Sequence, residues 1–77
     1  MNQERRKKLE AITSQLDNLK SQLEELRDQE QEAFDNMPEG LQQGDRGQSM
    51  EGAIDSLENA ANVLDEVVEA VNEAVAA

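Results

Sequence analysis

With 77 residues, a formal charge of -11, no Cys, no His and a single aromatic side chain, the chain is one domain at most and too short to bury a large core as a lone monomer. Lacking Cys, His, Tyr and Trp, it cannot assemble a zinc site, a disulfide, a Ser-His or Cys-His nucleophile or a stacking platform for bases. The charge is uneven: residues 1–20 carry five basic and three acidic side chains, net +2, whereas residues 21–77 carry two basic and fifteen acidic ones, net -13, a surface that repels nucleic acid and anionic membranes.

No apolar run approaches the ~20 residues of a membrane span, and no apolar segment follows the N-terminal basic residues as in a secretory leader. The expectation is a soluble, unprocessed protein that touches neither membrane nor nucleic acid directly. An acidic chain poor in aromatics can also be disordered, so the hydrophobic pattern has to decide.

In chain order, Arg5, Arg6, Lys7 and Lys8 come first. They can bind an anion, or they can be a solvated helix end. An antiparallel return of the chain would bring Glu69 and Glu73 to the same end and favours the second reading. From Leu9 the apolar positions are Leu9, Ile12, Leu16, Leu19, Leu23 and Leu26, in alternating steps of three and four. This is an a/d heptad stripe, with Gln15, Gln22 and Gln29 in the g row and Lys20, Arg27 and Phe34 in the e row. Glu30 falls on an a position, where a carboxylate needs a partner or water. A first helix is expected from about residue 3 to about residue 36.

The corner spans 37–45. Pro38 disfavours helical geometry at Met37 and cannot donate the next backbone hydrogen bond. Gly40 and Gly44 loosen the turn, and 38–42 can form one short helical turn that tucks Leu41 onto the bundle. Asp45 followed by Gln48 reads as a capping box that starts the second helix at Arg46. Gly47 then lies on the inner seam at about the height of Phe34. Either it leaves room for that ring or it eases the turn. Arg46, beside the positive end of a helix dipole, calls for a compensating carboxylate, with Glu30 nearest; a ligand-facing arginine is the other reading.

The second helix, about 46–75, has a wider apolar face: a positions Ile54, Ala61, Val68 and Val75, d positions Met50, Leu57, Leu64 and Val71, and g positions Ala53, Ala60, Val67 and Ala74. Three stripes are more than one helix can cover. The fold expected is all-α: residues 1–77 form one antiparallel helical hairpin, dimerising into a four-helix bundle or a higher helical oligomer through Ala53, Ala60, Leu64, Val67, Val68 and Val71.

Paired carboxylates are plentiful, but a two-metal carboxylate bundle needs Glu-x-x-His. The 35–47 segment also puts Met37 and Glu39 where a calcium loop wants its third and fifth ligands. No catalytic, cofactor-binding or metal residue is assigned, and an enzyme is not expected. The acidic run through Glu24, Asp28 and Glu32 is most simply a solvated helix face.

The residues Ala33, Phe34, Asp35, Asn36, Met37, Pro38, Glu39, Leu41, Arg46 and Gly47, with the acidic second helix, resemble a family of short uncharacterised proteins common in phage and prophage genomes of gut bacteria. In that family a helix ends in Ala-Phe or Ala-Tyr, Asp-Asn, a hydrophobic residue and Pro-Glu, and the corner continues to Arg-Gly. This chain departs from the pattern at Gly44, Asp45 and Gln48. The resemblance implies a phage origin, a bacterial host cytoplasm and a helical hairpin; it brings no activity with it. Small acidic phage proteins often act stoichiometrically on a host factor, so the leading expectation is a counter-defence binder, by acidic nucleic-acid mimicry or by sequestration. Partner contacts would then fall on the corner residues Phe34, Glu39, Leu41, Arg46 and Gly47 and on the row Glu24, Asp28 and Glu32. The alternatives are a structural or assembly coiled coil, and an oligomeric sponge that holds a small anionic signalling molecule near Arg46, Glu39 and the corner amides.

Overall fold

The computed structural model describes all residues 1–77 as three helices, α1 (Gln3–Asp35), α2 (Glu39–Gln42) and α3 (Asp45–Ala76). α1 and α3 pack against each other as an antiparallel hairpin in a rod of 58 × 14 × 12 Å. That length follows from α1 itself, whose 33 residues at ~1.5 Å each give roughly 50 Å. Helix boundaries fall within a residue of those expected. α1 starts where Asn2 caps it: the Asn2 side chain accepts a hydrogen bond from the Arg5 amide at 2.9 Å, satisfying one of the orphan donors of the first turn.

The a row of α3 faces α1, with Gly47, Ile54 and Ala61 buried and the d-row residues Met50, Leu57, Leu64 and Val71 half-buried beside them. On α1 the sequence expectation needs correction. Its a row (Leu9, Leu16, Leu23) is half-buried as expected, but the d-row residues Ile12, Leu19 and Leu26 stay 44, 50 and 52% exposed. In their place the e row, Thr13, Lys20, Arg27 and Phe34, turns inward. The e row lies about 40° from a on a helix of 3.6 residues per turn, and the d row about 60° to the other side. Seating Phe34 beside Ile54 and Lys20 on Asp65 rotates α1 toward e.

The Lys20 contact marks both the register and the handedness of the hairpin. The lysine ammonium donates to Asp65 at 2.8 Å, with the second carboxylate oxygen at 2.7 Å. Both residues belong to e rows, so the two e rows share one flank. The d and g rows of α1 and the g row of α3 therefore share the opposite flank.

At the open end, Arg6 donates to the Ala77 carbonyl at 3.3 Å and the Met1 amino group to the same oxygen at 3.5 Å. A cation suits the negative end of the α3 dipole. Lys8 pairs with Glu4 at 3.5 Å, both well exposed. The basic cluster thus serves its own helix and the end of α3; ion pairs with Glu69 or Glu73 are not formed.

Candidate functional site

The corner is held by Gln42. Its side-chain amide donates to the Phe34 carbonyl at 2.9 Å and to the Met37 carbonyl at 3.2 Å, so it ties the last turn of α1, where the Phe34 carbonyl also accepts from the Met37 amide at 3.1 Å, to the corner that follows it. Its backbone lies against α3 at Gly47. A Cβ on Gly47 would stand 2.0 Å from the Gln42 carbonyl oxygen and 2.7 Å from its Cα. Gly47 is therefore glycine because of α2, neither to admit the Phe34 ring nor to ease the turn. No residue has a positive φ, and a Cβ on Gly40 would meet nothing, so the turn does not depend on glycine at 40. Sequence reasoning missed Gln42; a Gln five residues before a buried Gly is too common a pairing to mark a cap.

Three other corner expectations change. α3 begins at Asp45, with Gly44 as its N-cap and no side-chain cap bond; the Gln48 amide donates to the Gly44 carbonyl at 3.0 Å, and the Gln48 side chain to the Gln43 carbonyl at 3.4 Å. The capping box is not used because Asp45 sits one position inside the helix. α2 forms as the expected short turn, closed by amides of Leu41 and Gln42 on the Pro38 carbonyl at 2.9 and 3.1 Å, yet Leu41 is 59% exposed. α2 meets α3 through Gln42, and Leu41, about 100° around the helix from it, faces water. Finally, Arg46 is exposed and Glu30 half-buried, and no carboxylate lies in ion-pair range of Arg46.

Of the residues expected to meet a partner, Glu39, Leu41 and Arg46 are exposed. Phe34 is half-buried and Gly47 buried, which makes both parts of the corner's own packing. A shallow recess of about 200 Å³ is lined by Gln31, Phe34, Glu51, Ile54 and Asp55. Its two carboxylates oppose an anion, and neither Arg46 nor Glu39 borders it. Glu24, Asp28 and Glu32 line an open depression on α1 with Ser21, Glu25 and Gln29, without one apolar side chain. Asp28 is occupied there by Arg27 at 3.0 Å. No group of three His, Cys, Asp or Glu side chains is placed to hold a metal ion, and no helix is long and apolar enough to cross a membrane.

The expected oligomer residues divide. Leu64, Val68 and Val71 are half-buried within the hairpin, while Ala53 and Val67 are exposed on its flank and Ala60 is half-buried beside them. The hairpin has two unlike flanks. The e-row flank and the outer rows next to it carry the acidic residues, Asp17, Glu24 and Asp28 on α1 and Glu51, Glu58 and Asp65 on α3 among them. On the other flank the d and g rows of α1 from Ile12 to Ala33, and the g and c rows of α3 from Ser49 to Ala74, hold no charge at all. Five of the seven large exposed apolar side chains, Ile12, Leu19, Leu26, Val63 and Val67, lie on that neutral flank.

Comparison with known protein families, with curated proteins and with solved structures found no match.

Proposed function

We propose that the chain is a non-enzymatic helical interaction protein of phage type, working as a homo-oligomer in the cytoplasm of a bacterial host and binding a basic site on a host protein in stoichiometric fashion, as a counter-defence inhibitor would. The observation that carries this reading is the separation of charge. A net charge of -11 collected on one flank and the outer rows presents a carboxylate surface along the rod, in the way the phosphates of a nucleic acid line a duplex. Such a surface steers a basic partner and gives salt-dependent binding. The corner resemblance supplies the phage setting.

The test is capture from bacterial lysate on the immobilised chain. A basic host protein should be retained at low salt and released at high salt or by duplex DNA. Reversing Glu24, Asp28 and Glu32 to Lys should abolish its retention. Retention indifferent to salt and to the triple reversal would refute the acidic-surface reading. A second reading, an assembly or spacer coiled coil, is favoured by the 58 Å rod with its apolar flank; recovery of scaffold or particle proteins alone would select it.

A further inference from the structure

We infer that the neutral flank is the face on which a second copy of this chain docks, face to face, so that the acidic flanks of both copies stay in water. The inference gives a face and a copy number to the homo-oligomer of the proposed function, and does not depend on the binding of a basic partner. Three observations point to a second copy.

The first is the poverty of the core. The buried apolar residues are Ile54 and Ala61, far fewer than a domain of this length needs to outweigh the ordering of its backbone. The missing burial has to come from another chain.

The second is charge. Two copies at -11 each repel, and an isologous contact doubles whatever charge lies in it. Only one long face of the hairpin is free of carboxylates. There Gln15, Gln22 and Gln29, all exposed, border the apolar rows with amides that both donate and accept, so a copy of the same row is a competent partner for them. A basic partner would find nothing ionic to recognise on this flank.

The third is size and shape. In the register set by Lys20 and Asp65, Ile12, Leu19 and Leu26 stand level with Ala74, Val67 and Ala60, a row of large side chains beside a row of smaller ones. The small row lets a second helix pair approach closely while the large row fills the space between them. From Ile12 to Ala33 the strip is about 30 Å long and two helices wide, about 20 Å. Covering it hides about 600 Å² on each copy and about 1,200 Å² in total, the size at which specific interfaces begin.

The experiment is sedimentation of the full chain at micromolar concentration, with thiol reactivity as a probe of the face. The parent should sediment at twice its 8.6 kDa. Leu19→Gln and Leu26→Gln should each weaken the dimer by about tenfold or more, from the lost burial of one large side chain per copy, while Asp17→Asn on the acidic side leaves it unchanged. Because the glutamine variants can also unfold, Val67→Cys and Ser21→Cys keep the question open to refutation. Maleimide labelling of Cys at 67 should slow as concentration rises and recover on dilution, and that of Cys at 21 should not change. A parent that stays a single copy throughout, or a dimer in which labelling at 67 is independent of concentration, would overturn the inference. No second protein is present, so either result leaves the proposed binding of a basic partner to its own test.

Discussion

At the corner, Gly47 and Gln42 approach so closely that a single added methyl would lie 2.0 Å from a backbone oxygen. Along the shaft, Ile12, Leu19 and Leu26 each leave about half of their surface in water. The corner finds its partners inside one chain: α1 is closed by the Gln42 amide, and α2 seats on a notch in α3. The shaft leaves one flank unpaired. The corner thus sets where the chain reverses, and the shaft, where Lys20 meets Asp65, shows which flanks align. Substitutions should separate the two regions.

The largest effect is expected in the seam between the helices. Leu64→Asp would place a charge on the half-buried d row next to Ala61, 2% exposed; the lost apolar burial, about 1.5–3 kcal/mol, adds to the cost of desolvating the carboxylate. With so small a core, loss of helical circular dichroism should accompany loss of assembly. Glu25→Lys on the wet face should change little, and equal tolerance of both would show that the seam does not hold the fold.

Next comes the notch. Gly47→Ala pushes a Cβ into the Gln42 backbone, which has no flexible end to move aside. The cost should be that of overpacking, about 1–3 kcal/mol, despite alanine's better helix propensity. Thermal unfolding would detect it. A stabilised Gly47→Ala protein would mean that α2 does not sit against α3. Gln42→Ala follows, removing the two hydrogen bonds to the Phe34 and Met37 carbonyls for about 1–2 kcal/mol; unchanged hydrogen exchange of the last turn of α1 and the corner would contradict that role.

How much of this could be read in the sequence depends on whether the signal was periodic. The heptads give two helices, Pro38 gives the break, and the return of the chain follows from both. The wrong flank on α1 has a physical source: periodicity states which rows are apolar, not which of two apolar neighbours a single partner chooses. Phe34 and the Lys20 to Asp65 contact made that choice, and neither appears as a repeat. The corner was legible in outline only. Its decisive contacts are one backbone approach and one side-chain amide on two carbonyls, which composition does not mark. The expected pair of Arg46 with Glu30 failed for a related reason, since proximity along paired helices does not turn a side chain toward its neighbour.

The smallest effects belong to exposed charges. Arg46→Met should shift stability by no more than about 0.5 kcal/mol, because no carboxylate is paired with it; a larger loss seen in thermal melts would restore a structural role. The hydrogen bond from Lys20 to Asp65, aided by that carboxylate's charge, raises the lysine above its ordinary 10.5. The sign follows from the raised value: the contact contributes fully below 10.5 and is lost as pH climbs through the higher folded value. Stability at neutral pH should therefore be insensitive to this lysine's titration, and the part of the alkaline decline that Asp65→Asn removes should begin only above about 10.5. A Lys20-dependent change between pH 6 and 8 would contradict the assignment.

The central claim, that the shaft is completed by a second copy lying along its neutral flank, is tested most directly by small-angle X-ray scattering from the parent chain. Forward scattering should report two copies, with a maximum dimension close to that of one rod, 58 Å between its outermost Cα atoms, enlarged only by side chains, and a cross-section widened in one direction. Scattering from one copy, or from two copies with nearly twice that length, would contradict it.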